Sequence, residues 1–184
     1  MVCAVGKLGG KSLTFLGYVD PTVGPGGELN APAHDPVMLS GQIIASLKQT
    51  SAQVLLTHGT NGEYGHPAHK LMHDAALIAA ASLGEARPLV YSFAANYVGH
   101  PYPRLANADD PTDVLVDVSD FLDQKLAAAL CHVTQNALFV RRRSEEAGHP
   151  VTVREVMLTE ESFHRQWPAD PVANDVFLEW VKPL

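Results

Sequence analysis

Short apolar runs alternate along the chain with segments in which apolar residues recur every three or four positions. The apolar runs are typical of buried strands, and the spaced segments are typical of helices that pack on a sheet. Strands are predicted over residues 13–18, 53–57, 89–93, 113–118 and 151–158. Helices are predicted over residues 35–48, 67–82, 119–133 and 160–166. This alternation of strands and helices predicts a layered α/β fold.

Length and composition fit one folded domain. The chain has 184 residues, of which 46% are hydrophobic and 18% charged, enough for a sizeable core. A net charge of −7 argues against a nucleic-acid surface, and no apolar run reaches the ~18 residues of a membrane span. Cys3 and Cys131 are too few for a disulfide framework and fit a reducing compartment. We therefore expect a cytoplasmic protein with no nucleic-acid partner.

The densest chemistry follows the predicted strand over residues 53–57. Four of the nine histidines lie there, namely His58, His66, His69 and His73. If His66 begins the next helix, it shares one stripe with His69 and His73. Neutral imidazole is a common metal ligand, and open α/β sheets bind ligands at the carboxyl ends of their strands. The spacing also fits histidines that only cap the helix or satisfy the core. His58 and His73 are interpreted as residues that support the ligands or the core rather than as ligands.

Two glycines, Gly62 and Gly65, flank Tyr64 in the loop that precedes this helix. Glycine allows a sharp turn, so the loop is expected to present Tyr64 rather than bury it. A tyrosine hydroxyl can donate a hydrogen bond to a developing oxyanion.

These residues resemble the PIG-L/LmbE-like zinc-dependent N-deacetylases. The resemblance rests on Val54-Leu55-Leu56-Thr57-His58 and on Gly62-Glu63-Tyr64-Gly65-His66-Pro67-Ala68-His69-Lys70. Weaker similarity extends it over residues 8–135. It implies a Rossmann-like layered fold with a mainly parallel sheet. It also implies a zinc-dependent hydrolase that removes an N-acetyl group from an N-acetylglucosamine-type substrate, either a small molecule or a glycan. A homo-oligomer is left open.

The resemblance assigns roles to four residues. His69 matches the histidine that ligates zinc. His66 matches the catalytic histidine that stabilises the tetrahedral intermediate or protonates the leaving amine. Tyr64 matches a tyrosine that assists at the oxyanion, and Asp20 matches a position that contacts the sugar.

One family motif has no counterpart here. Ala-His-Pro-Asp-Asp-Glu supplies two zinc ligands and the general base in the family, and this sequence lacks it. Ala68 also stands where many members have an acidic residue. We therefore expect residues 1–184 to form a single deacetylase-like domain whose N-terminal strand–helix units are missing. Such a chain is expected to be inactive alone.

Three alternatives remain open. The chain can be a non-catalytic homologue that holds a sugar through Asp20 and residues 58–69. It can be a different metal-dependent hydrolase whose remaining ligands come from within the chain, for example Asp110 or Asp113. It can also be a plain α/β domain with structural histidines.

Overall fold

The computed structural model describes residues 1–20 and 22–181 and divides the chain into two compact units. The first unit contains Met1–Phe15 and Asp117–Glu160, and the second contains Leu16–Val116 and the segment from Glu161 onward. The prediction of a single domain over residues 1–184 stays a prediction.

Helices and strands both contribute to the chain, which confirms the mixed α/β class. The helices are α1 (Val2–Lys7), α2 (Pro36–Thr50), α3 (Gly62–Gly65), α4 (Pro67–Ala81), α5 (Leu122–Ala129), α6 (Val133–Ala147) and α7 (Val176–Trp180). The strands are β1 (Thr22–Val23), β2 (Leu29–Asn30), β3 (Val54–Thr57), β4 (Leu89–Phe93), β5 (Ala95–Asn96), β6 (Asn107–Pro111), β7 (Val114–Asp117) and β8 (Glu160–Trp167).

The largest sheet has four strands in the order β3-β4-β8-β7. Strands β3 and β4 pair in parallel, whereas β4 and β8 pair antiparallel. Two small sheets, β1-β2 and β5-β6, are antiparallel and parallel respectively. The sheets are therefore small and mixed, and the Rossmann-like arrangement with a mainly parallel sheet is not confirmed.

The core of the second unit forms where α2 packs on α4. Asp35 begins α2 as predicted: its side chain accepts hydrogen bonds from the backbone N–H groups of Val37 and Met38, at 2.8 and 3.2 Å. Such a cap satisfies donors that have no partner within the helix. The buried contact consists of Leu39, Ile43, Leu47, Ala75 and Ala79. Burial of this apolar face anchors α4 and the loop that precedes it.

Three predicted elements are wrong. Residues 13–18 form no strand; instead the Gln42 amide of α2 donates to the Leu16 carbonyl (3.2 Å), and the Tyr18 hydroxyl donates to Gln42 (3.0 Å). Residues 151–158 form no strand, and the predicted helix over residues 160–166 is the strand β8. Pairing with β4 stabilises β8, and no local pattern of apolar residues indicates that pairing.

In the first unit α1 packs against α5, and Cys3 and Cys131 form a disulfide bond. Two cysteines 128 residues apart do not by themselves indicate this bond. Disulfides are rare in cytosolic proteins, so the bond weighs against the predicted cytoplasmic location, which stays a prediction. Among the helices of the described residues, none combines the length and the apolar character needed to cross a membrane.

Candidate metal centre

The candidate site lies at the carboxyl end of the parallel pair β3-β4, where the sequence predicts it. His58 directly follows β3, and its ring contacts that of Phe93, the last residue of β4, with the centroids 4.9 Å apart. The chain then turns through α3 and enters α4, whose first turn carries His69. Residues from a strand end, a loop and a helix start therefore meet at one place.

Three side chains converge here. His58 Nδ1 lies 3.0 Å from Glu63 Oε2, and His69 Nδ1 also forms a hydrogen bond with Glu63 Oε2. The ligand atoms of these three residues lie within 4.8 Å of one another. The rings of His58 and His69 stack with their centroids 3.9 Å apart. The group can hold a metal ion, since two imidazoles and a carboxylate are ordinary metal ligands.

The Glu63 carboxylate is held in its ionised form. Burial raises the pKa of Glu63, but hydrogen bonds from His58, His69 and the Gly59 N–H outweigh this and hold the pKa well below its usual range. Metal ligands must be deprotonated, so an ionised carboxylate is ready for a cation. The same contacts also satisfy the carboxylate when no cation is bound.

The turn that brings Glu63 under the histidines needs glycine at Gly62. Its φ is +62°, and a Cβ there would lie 2.9 Å from Cγ of Lys70. A larger residue would meet both a strained backbone and α4 itself. The glycine predicted to allow a sharp turn is therefore required at this position.

Tyr64 and His66 lie beside the three-residue group. The Tyr64 ring centroid is 5.7 Å from that of His66 and 5.5 Å from that of His69, and the centroids of His66 and His69 are 4.5 Å apart. His66 is only 8% exposed, and its Nδ1 has no hydrogen-bond partner among the described residues. A buried polar atom without a hydrogen-bond partner is unusual. A bound molecule can supply the missing hydrogen bond to Nδ1 of His66.

Tyr64 is 56% exposed and keeps its proton at neutral pH. Desolvation raises its pKa, and the nearby charges of Glu63 and Asp20 raise it further. Tyr64 therefore offers a protonated hydroxyl, a hydrogen-bond donor, on a side chain that is more than half exposed. The charge of Asp20 acts on Tyr64, whereas the rings of Tyr64, His66 and His69 lie against one another.

The other candidate ligands are used elsewhere. Asp110 is 1% exposed and accepts hydrogen bonds from Ser92 Oγ (2.7 Å), the Thr60 N–H (3.1 Å) and Gln166 Nε2 (3.2 Å). Asp113 accepts from the Arg165 N–H at 2.7 Å. Neither aspartate belongs to the three-residue group.

The Nδ1 of His73 donates to the His58 carbonyl at 2.9 Å, and His73 is not in the three-residue group. Its interpretation as a supporting residue stays a prediction. His58 itself, interpreted in the same way, lies in the group. The sequence-based prediction gives Glu63 no role, although a carboxylate between two histidines in one loop can indicate a metal site. Its importance depends on a backbone turn that spacing alone does not reveal.

No known protein-family model matches the chain, and no curated protein matches it either.

Proposed function

We propose that the chain carries the site of a zinc-dependent hydrolase, with His58, Glu63 and His69 as the zinc ligands. The convergence of two imidazoles on one ionised carboxylate carries the proposal. Two histidines and a glutamate are the ligand set of several catalytic zinc sites, and three protein ligands leave a position for water. All three ligands come from within the chain, so this site does not need the Ala-His-Pro-Asp-Asp-Glu motif. In contrast to the expectation from the missing motif, the chain is therefore expected to be active alone.

The proposed reaction is hydrolysis of an amide, the removal of an N-acetyl group from an N-acetylglucosamine-type substrate. A bound zinc supplies a polarised carbonyl and a water whose pKa falls towards ~7. Tyr64 donates a hydrogen bond to the carbonyl oxygen, which becomes the oxyanion when water adds to the carbonyl carbon. His66 holds the proton that the leaving amine receives. The support for these roles is the contact of both rings with His69 and the unpartnered Nδ1 of His66.

The substrate class rests on the resemblance to the N-deacetylases, and so does the Rossmann-like layered fold. Asp20 is the proposed contact to the sugar hydroxyls. The support for this role is that the charge of Asp20 acts on Tyr64, whose side chain is exposed. A carboxylate in that position can accept hydrogen bonds from neutral hydroxyls.

The test combines metal content with acetate release. The purified chain is expected to hold about one zinc per molecule and to release acetate from an N-acetylglucosaminide. His69→Ala should lose both properties, and His149→Ala, an exposed histidine of the first unit, should keep both. Tyr64→Phe should keep the zinc and lose about 10²–10³ in rate. A wild-type chain that takes up no zinc contradicts the proposal.

A second candidate is a metal-free sugar-binding module. The hydrogen bonds from His58 and His69 already satisfy Glu63, and this favours a site that is stable without an ion. That module would bind an N-acetylglucosaminide with the same affinity in the presence and absence of EDTA. Zinc-dependent binding or acetate release would exclude it.

A further inference from the structure

Glu63 has a backbone conformation that L-amino acids rarely adopt. Its φ is 54° and its ψ is −97°, inside the short helix α3. Non-glycine residues persist in such conformations only when their surroundings hold them there, and they cluster at functional sites. The structure must therefore contain groups that hold Glu63 in this conformation.

Asn107 at the start of β6 is such a group. It is fully buried, and its Oδ1 accepts the backbone N–H of Glu63 at 2.9 Å. Its Nδ2 lies 3.3 Å from Glu63 Oε1 and donates to the carbonyls of Phe93 (3.0 Å) and Ala94 (3.2 Å). The Asn107 amide thus forms hydrogen bonds with both the backbone and the carboxylate of Glu63. Its hydrogen bonds to the end of β4 hold the amide itself in place.

Gly59 completes this frame. Its N–H donates to Glu63 Oε1 at 3.1 Å, and a Cβ at this position would lie 2.1 Å from the side chain of Asn107. Glycine is therefore the residue that leaves room for Asn107. The two carboxylate oxygens have separate partners: Oε1 faces Asn107 and Gly59, and Oε2 faces the two histidines.

We propose that Asn107 is the positioning residue that orients the Glu63 carboxylate for metal binding. The inference rests on the proposed metal site and adds a residue 44 positions away in the sequence. By holding Oε1 and the backbone N–H, Asn107 leaves Oε2 as the oxygen that ligates. Groups that orient metal ligands in this way typically contribute 10–100-fold to metal affinity.

Asn61 is the matched control. Its side chain also joins the loop after β3 to β6, through hydrogen bonds with Asp109 at 2.7 and 2.9 Å. It makes no hydrogen bond with Glu63 among the described residues. The two asparagines therefore link the same segments, and only Asn107 touches the metal ligand.

The experiment titrates the metal-free full chain with Co²⁺, followed by its visible absorption and by competition with a chelator. Asn107→Asp preserves the shape but turns a carboxylate oxygen towards Oε1, and Asn107→Ala removes the amide. Both variants are expected to bind Co²⁺ about 10–100-fold more weakly, with altered absorption bands, whereas Asn61→Ala should bind like the wild type. Thermal unfolding of each metal-free variant reports whether it is folded.

A double-mutant cycle separates positioning from general stability. In a Glu63→Ala background, Asn107→Asp should cause no further loss of Co²⁺ affinity, because the carboxylate that Asn107 orients is gone. Wild-type affinity in folded Asn107→Asp, or an equal loss with and without Glu63, would overturn the inference while the metal site stands. Absence of Co²⁺ binding to the wild-type chain would overturn both proposals.

Discussion

Glu63 and Asp175 are buried carboxylates of the second unit, and each accepts hydrogen bonds from two side chains on one oxygen. Asp175 Oδ2 accepts from the Tyr91 hydroxyl at 2.5 Å and from Arg165 Nη2 at 2.9 Å. Its other oxygen caps α7 by accepting the N–H of Phe177 at 3.0 Å. Every acceptor of this cluster is in use, and its cation is a guanidinium that stays protonated.

The Glu63 cluster has the same outline and different chemistry. Its two donors are His58 and His69, and a neutral imidazole is a common metal ligand, through either Nδ1 or Nε2. Beside it, His66 has a buried Nδ1 without a partner among the described residues, and Glu63 itself has a strained backbone. A closed ion-pair cluster stabilises the fold, whereas a cluster with a strained backbone and an unpartnered buried atom beside it is suited to binding.

The largest expected effect is on the Asp175 cluster. Asp175→Ala leaves the Arg165 guanidinium buried without its carboxylate, which is expected to lower the free energy of unfolding by about 3–5 kcal/mol. Urea denaturation measures this, with the exposed Asp170→Ala as control. If the free energy of unfolding falls by less than ~1 kcal/mol, the Asp175 cluster does not stabilise the fold as proposed.

Zinc is expected to stabilise the Glu63 cluster only. At a free zinc concentration of 100 times Kd, binding raises the free energy of unfolding by ~2.7 kcal/mol. Thermal unfolding with and without zinc should show this in the wild type and in His149→Ala, but not in His69→Ala. Equal stabilisation of His69→Ala would place the bound zinc outside the proposed group.

Backbone strain at Glu63 predicts an inverted preference for glycine. In the metal-free chain, Glu63→Gly should be more stable than Glu63→Ala by about 1 kcal/mol, because glycine adopts a positive φ without steric conflict. The reference pair is at Asp74, an exposed position in the middle of α4, where alanine should be better by about 1 kcal/mol. Urea denaturation of the four variants measures these differences in the free energy of unfolding. If alanine is more stable than glycine at both positions, Glu63 is not strained.

The last expected effect appears at alkaline pH. Burial and the hydrogen bond to Asp175 raise the pKa of Tyr91 to about 12, from ~10 in the unfolded chain. Between these values the unfolded state binds fewer protons, so the free energy of unfolding falls as the pH rises from ~10 to ~12. Tyr91→Phe should show a shallower fall, measured by urea denaturation at several pH values. An identical pH dependence would contradict the raised pKa.

Local signals were sufficient where the structure depends on neighbours in the chain. Asp35 followed by Pro36 predicts the start of α2, and Pro67 predicts the start of α4. The apolar run over residues 53–57 predicts β3 and with it the position of the candidate site. In each case the element forms because of capping hydrogen bonds or burial, and the adjacent residues in the sequence determine both.

Local sequence patterns gave the wrong prediction where residues distant in the chain determine the secondary structure. The polar sequence of β8 forms a strand because β4 pairs with it, and residues 13–18 stay outside any strand because Gln42 takes the Leu16 carbonyl. In the candidate site, the resemblance draws attention to Tyr64, His66 and His69, but it does not indicate His58, Glu63 or Asn107.

The sequence by itself determined the α/β class, the strand–loop–helix that carries the candidate site and the histidines available there. Only the tertiary structure decided which of them meet, since Asn107 reaches Glu63 from 44 residues away and holds it in a conformation it would not adopt alone. The physical reason is that a buried polar group needs a partner, and the fold chooses that partner from anywhere in the chain.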